Sequence, residues 1–402
     1  MTSAGIFAGV RIVELAQFVF VPGATMMLAD QGAEVIHVES VGAGDPYRNL
    51  RVGDGREVGS VNLAMEQNNR GKKSIALDLK SDDGRTAMLR LIESADVFVT
   101  SLRPKAIRAL RLDVHDLRAR NPRLIYARGN GLGYQGEELN KPGFDASVFW
   151  ARTGMCDAFT LPGADAPSPR PAFGDHSAAT SLAYAIAGAL YRRAVSGEPS
   201  VVETSLLQTG VWMLSQDLTY AQAPGYQVHP PGRRLPLMQA YRTKDGRKIQ
   251  LMLLDPRPHW PSLCEMLGLP HLIDDPRFCD NDARMRNAQA LSALLAERIG
   301  QFDWAHWQAL FEDWDAPWEL IRTILEVPED PQVVANDLIF HTPSPNGGEL
   351  RLVSGPATFD GRAAPLAVRR APLMGEHTDE LLEQAGYSAQ AIAELKTRGA
   401  AQ

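Results

Sequence analysis

Cysteine is scarce in this 402-residue chain: Cys156, Cys264 and Cys279 lie far apart and form no C-x-x-C pair. An odd, scattered set excludes a disulfide framework and fits a reduced intracellular protein. Long apolar runs are also missing, and none approaches the ~20 residues that a membrane-spanning helix needs. The opening MTSAGIFAGVRIVELAQ has no basic stretch followed by an apolar one. No secretory leader and no membrane association are therefore expected, and the cytoplasm is the expected compartment. Several catalytic signatures are absent: the first strand-to-helix turn, AQFVFVPGA, has no GxGxxG, and the chain has no GxxxxGK[ST], no GxSxG and no HExxH. Their absence speaks against a dinucleotide enzyme, a P-loop NTPase, an α/β-hydrolase and a zinc protease. The nine histidines are dispersed, so no metal site is expected.

Hydrophobic residues make up 45% of the chain and charged residues 22%, enough apolar content for more than one folded domain. The net charge of −7 lacks the basic footprint of a nucleic-acid-binding protein. The charge is uneven, however: residues 70–128 carry 14 Lys or Arg against 7 Asp or Glu. Such a zone suits a small polyanion, or it is a solvated helix face.

The order of elements is that of an α/β protein. Residues 10–15 (VRIVEL) and 34–39 (EVIHVE) are predicted strands flanking a helix over 22–32, a βαβ start that implies a parallel sheet. A strand at 74–79, a helix capped by Ser81, and strands at DVFVT and RLIYARG follow. The Pro/Gly-rich segment 221–236 is read as a linker between a large domain (1–220) and a small one (237–328). The small domain should open with a hairpin around Asp245-Gly246 and continue in helices. Residues 329–402 are expected to return to the large domain.

One acid stands out. In RPAFGDHSAATSLAYAIAGALYRR (170–193), Asp175 is at the mouth of a long helix of small residues, with His176 beside it. As an N-cap it would accept bonds from the first helical amides. In a concave site the same carboxylate could attack an activated acyl carbon. The residues alone leave both roles open.

The segments GVRIVELAQFVFVPGATMMLADQGAEVIHVES, NRGKKSIALDLKSDDGR, ADVFVTSLRPKAI, NPRLIYARGNGLG, PGFDASVFWARTG, FGDHSAATSLAYAIAGALYRRAVSGEPSVVETSLLQ and APLMGEHTDELLEQAGYS occur in this order. Together they resemble the family III CoA-transferases, the group of formyl-CoA transferase and carnitine CoA-transferase, related to α-methylacyl-CoA racemase. The resemblance implies a Rossmann-like large domain with a smaller second domain, and an interlocked, ring-like homodimer. It implies an enzyme that moves CoA from an acyl-CoA to a carboxylic acid acceptor, with no permanently bound cofactor. The family's nucleophile falls on Asp175, which would form an acyl anhydride and then an aspartyl-CoA thioester. CoA contacts would fall on Val19 and Phe20 in the first turn, on Leu77 to Lys80, on Ser101, Leu102 and Arg103, and on Lys141 and Phe144 in the KPGFD loop. A family arginine falls on Ala109, with Arg108 and Arg111 adjacent.

The departures from the family pattern carry information too. Val19-Phe20 replaces the Gln-Ala pair of formyl-CoA transferase, Ser40 replaces an arginine, and its glycine-rich acceptor loop has no counterpart in GRRLPLMQAYRTKDG. Formate or oxalate specificity is therefore not expected. The racemase GHD motif reads GFD here, so Phe144 stands where a proton-transferring histidine would be. A racemase-like enzyme and a non-catalytic CoA-binding scaffold are the alternatives. Val19, Phe20, Val21, Phe144, Phe149 and Trp150 suggest either an apolar acyl pocket or ordinary core packing. Trp314 and Trp318 in EDWDAPWELI either shape an acceptor pocket or pack the second domain.

Overall fold

Short runs rich in Val, Ile and Leu become strands buried on both faces. The computed structural model describes residues 5–50, 57–58, 61–226 and 235–402. Five strands are β1 (Arg11–Leu15), β2 (Glu34–Glu39), β3 (Lys73–Ala76), β4 (Val97–Thr100) and β5 (Ile125–Asn130). A sixth, β6 (Val201–Ser205), was not read from the sequence and pairs beside β5. The strand order is β3-β2-β1-β4-β5-β6, with every neighbouring pair parallel. From β1 the chain winds outward to β3, then returns to lay β4 on the other side of β1. That reversal opens a crevice at the carboxyl ends of β1 and β4, the place where open α/β sheets bind ligands.

Helices cover both faces. Helix α1 (Phe20–Asp30) and the long α4 (Phe173–Ser196) bury Ala24, Leu28, Leu182 and Ile186 against Ile12, Val97 and Val99. On the other face, α2 (Asp82–Glu93) packs Met88, Leu91 and Ile92 with the C-terminal helices α6 (Thr378–Gln384) and α7 (Ala389–Thr397). Each fully buried side chain of this kind contributes about 1.5–3 kcal/mol, so the C-terminal segment is integral to this core. Two shorter helices complete the frame of the site: α3 (Pro104–Ala109) and α5 (Leu206–Met213). Ser81 caps α2, its Oγ accepting from the Gly84 amide at 3.0 Å.

Two boundaries differ from the sequence reading. Helix α1 begins at Phe20, with Pro22 as its third residue; a first-turn proline gives up no intrahelical bond. Strand β3 ends at Ala76, because Leu77 leaves the ladder to bridge Ala401.

The chain divides into two compact units. The first comprises Met1–Thr160, Ala164–Val228 and Pro331–Gln402, and the second Leu161–Gly163 and His229–Asp330. Of the segment 221–236, residues 227–234 lie outside the described residues. In the second unit, Ala240–Arg242 and Lys248–Leu251 form the hairpin around Asp245-Gly246, and Trp318–Leu320 adds a third antiparallel strand. Trp314 and Trp318 pack on Phe311 of that unit's core, with ring centroids 5.4 and 5.1 Å away. Among the described residues, no helix is long and apolar enough to cross a membrane.

Candidate active site

The start of α4 is capped from outside the helix. Ala172 precedes it with φ of 60° and offers no side-chain cap, and Asp175 is the third helical residue. Of the two roles that the residues alone left open for Asp175, the N-cap is therefore not the one it takes. Asp145 takes that role: its Oδ1 and Oδ2 accept from the Gly174 amide at 3.1 and 3.2 Å, and its carboxylate also accepts from the Asp175 amide. The approach requires glycine at 174. A Cβ there would stand 2.3 Å from the Phe149 ring and 2.5 Å from Asp145 Oδ1. Asp145 is in turn fixed at the head of a wide helical turn over Ala146–Trp150.

This arrangement charges the site. Burial, followed by the neighbouring Asp145 carboxylate, pushes the Asp175 pKa up to about 7. Burial raises Asp145 as well, opposed by the two amides it accepts from. Among the described residues no cation pairs with Asp175. An acid held this way is destabilised as an anion and is a functional candidate on physical grounds. His176 turns elsewhere: its Nε2 is 3.0 Å from Asn68 Oδ1, and burial followed by the charge of Arg70 lowers its pKa. It lines a different cavity, beside Gly23 and Met27.

Asp175 opens into a cavity of about 300 Å³ at the carboxyl ends of β1, β4 and β5, within the first unit. Phe20, Ser101, Leu102, Arg103, Lys141 and Phe144, all named from the sequence, line it with Asp175. Val19 does not: its side chain is buried in the core, and Gln17 and Phe18 face the cavity instead. Phe18 has φ of 66°, a rare backbone conformation for a bulky residue. The turn is tied down by the Gln17 amide, which donates to Ser101 Oγ at 3.0 Å, and by the Phe18 amide, which donates to Asp45 Oδ1 at 3.3 Å.

Two further cavities continue the first. One of about 240 Å³ shares Gln17 and Leu102 with it and is lined by Leu77, Ser40 and Lys80. The next, about 450 Å³, shares Lys80 and Leu110 and adds Arg85 and Arg111. Lys80 and Arg111 make no ion pair among the described residues. Arg108 is exposed on α3 and lines none of these spaces, so Arg111 is the cation that this stretch presents to them. The result is a track from the Asp175 carboxylate to a cationic end.

Residues 7–378 match the family model described as CoA-transferase family III. The chain belongs to that family. It is similar to cinnamoyl-CoA:phenyllactate CoA-transferase of Clostridium sporogenes, 31% identical over 98% of this chain and 97% of that one. It is also similar to (R)-2-hydroxy-4-methylpentanoate CoA-transferase of Clostridioides difficile, 30% identical over 96% and 97% of the two chains. A CaiB/BaiF family protein from Brucella suis has the same α/β fold, with a TM-score of 0.82 at 27% identity, over 95% of this chain and all of that one. The protein is thus an enzyme, a family III CoA-transferase, and CoA thioesters are its substrates.

Sequence reasoning missed several residues of this CoA-transferase's candidate site. Gln17 and Phe18 precede the pair picked out from the family pattern. Gly129, at the end of β5, was also overlooked; a Cβ on it would stand 2.9 Å from the Phe20 ring. Asp145 was noticed only as the residue after Phe144. Its bond to Gly174 spans 29 positions, and no local pattern announces such a contact.

Proposed function

We propose that Asp175 is the nucleophile of a CoA transfer between two carboxylic acids. Its carboxylate oxygen attacks the thioester carbonyl of the donor acyl-CoA; the C–S bond breaks, CoA thiolate leaves and a mixed anhydride remains. The thiolate then attacks the Asp175 carbonyl, expelling the donor carboxylate and forming an aspartyl-CoA thioester. The acceptor carboxylate attacks that thioester and again releases CoA thiolate. The thiolate attacks the acceptor's acyl carbon, giving the new acyl-CoA and restoring the Asp175 carboxylate. Each exchange proceeds by steps easier than direct displacement.

The observation that carries this reading is the raised, cation-free carboxylate of Asp175 opening into a cavity at the sheet's reversal point. The track supports the placement of CoA. Phosphates would meet Lys80, Arg85 and Arg111, the pantetheine arm would pass Leu77 and Leu102, and the thioester would reach Asp175. Gln17, Ser101, Arg103, Lys141, Phe20 and Phe144 would enclose the reacting end. A racemase would need a second proton-transferring group on this cavity, and Phe144 supplies none.

Two copies of the chain would form the active enzyme as an interlocked homodimer. Tyr184, Tyr191 and Trp212, on α4 and α5, are 80%, 72% and 71% exposed, and Tyr184 and Trp212 line a groove of about 1380 Å³. Large aromatics left in solvent mark an association surface.

The experiment is trapping. The protein is mixed briefly with a panel of acyl-CoAs, treated with hydroxylamine or borohydride, and mapped by peptide mass. A modified peptide containing Asp175, absent in Asp175→Ala, is the expected result. Transfer that persists within tenfold in Asp175→Ala would overturn the assignment.

A further inference from the structure

Phe18 and Phe144 line the cavity into which Asp175 opens. Phe18 and Phe144 meet edge to face, with ring centroids 5.4 Å apart at 88°, and Tyr47 continues the stack at 6.2 Å from Phe18. Phe144 immediately precedes Asp145, the residue bonded to the Asp175 amide, so this wall is one residue removed from the nucleophile's support. Phe144 is 60% exposed, and its ring lines the cavity. Phe18 is held at φ of 66°, and strained backbone of this kind persists where the surroundings over-determine it and collects at ligand sites. Here the buried Asp45 and the half-buried Ser101 provide the restraint.

Two cations, Arg103 and Lys141, line the same cavity. The Arg103 Nη1 donates to the Asn140 carbonyl at 2.8 Å, and Lys141 Nζ pairs with Glu138 at 2.6 Å. The Asn140 carbonyl is neutral, so the Arg103 charge has no ionic partner among the described residues. A second carboxylate on an acyl chain would lose its hydration against the two phenyl rings, a cost that Arg103 alone could offset. An apolar chain would bury itself and the exposed phenyl ring together.

We infer that Phe18 and Phe144 are the specificity-determining residues of the acyl site, and that they select monocarboxylic acids with aromatic or branched apolar chains over dicarboxylic acids. The inference rests on the Asp175 reading above and adds the substrate class to it.

The test is self-exchange: each acyl-CoA is incubated with its own carbon-13-labelled free acid, and label entering the thioester is read by mass. The four acyl groups are 3-phenylpropanoyl, isovaleryl, acetyl and succinyl. For the native enzyme, kcat/KM for the first two should exceed that for succinyl by about 10- to 200-fold, the range a pocket of this kind can discriminate. Phe144→Ala should collapse that ratio, mainly by raising KM for the apolar donors. Phe144→Arg should invert it toward succinyl. Phe18→Gly, which suits the left-handed backbone, should also lower it. The ratio between acyl groups is insensitive to the amount of folded protein, so a loss of stability does not imitate the effect. Equal native rates for apolar and succinyl donors, or a ratio unchanged by Phe144→Ala, would overturn the inference and leave Asp175 as nucleophile. Exchange of none of the four acyl groups would overturn the nucleophile reading and this inference with it.

Discussion

Replacing Asp175 by asparagine should make the protein more stable at alkaline pH while abolishing its activity. The Asp175 pKa stands at about 7 in the folded chain, against an ordinary value of 3.8. A carboxyl raised on folding binds its proton more tightly in the native state. Its contribution to stability is intact at pH below 3.8 and is lost as pH rises through about 7. Three pKa units correspond to an upper bound of ~4 kcal/mol. Asp175 retains some contact with solvent, and screening reduces the figure to about 1–2 kcal/mol. The assay is denaturant unfolding of native protein and Asp175→Asn at two pH values. Near pH ~8.5 the variant should be more stable by about that amount, and near pH ~4.5 most of the gap should close. An Asp175→Asn variant no more stable than the native protein at pH ~8.5 would refute the reasoning. A variant less stable there would point back to Asp175 as the helix cap, whose removal costs about 1 kcal/mol.

Three other outcomes follow from the same geometry. As the proposed nucleophile, Asp175 would have to be ionised to attack, so kcat/KM should fall as pH drops below about 7; Asp145→Asn, which keeps a bonding oxygen but loses the neighbouring charge, should move that limb to lower pH. Asp145→Ala should in addition cost roughly 1 kcal/mol in unfolding, as the loss of a cap does. Lys80→Glu and Arg111→Glu should raise KM for acyl-CoA more than they lower kcat, and the native KM should rise with salt, as saturation kinetics at two ionic strengths would show. Trp212→Glu should shift the sedimentation coefficient from a dimer toward a monomer; an unchanged dimer would remove the α4–α5 groove as the association surface.

The sheet was legible because its strands are written locally. RIVEL, EVIHVE and VFVT are β-branched runs bounded by turn residues, and such runs have few alternatives. VVETS escaped notice, being a short edge strand with a half-exposed pattern that resembles a loop. In the site, Asp175, Ser101, Leu102, Arg103, Lys141, Phe20 and Phe144 were named in advance through a family pattern, and they meet in one cavity. Phe18 was passed over because nothing in AQFVFVPG announces a left-handed phenylalanine; the distant Asp45 and Ser101 impose that shape. The two roles left open for Asp175 have the same cause. An acid near a helix start looks like its own cap, and only the fold shows that a carboxylate 29 residues earlier already occupies the place.

The separation of the two acids bears on how this protein can change over time. Asp145 secures the helix and Asp175 is left free of that duty, so position 175 can drift without dismantling the scaffold. A descendant that lost Asp175 would still hold the cationic track and the aromatic wall. On the proposed reading it would keep its ancestor's ligand and lose its turnover. Such silent copies should therefore be sought by looking for the Asp145–Gly174 pair and reading what stands one residue later.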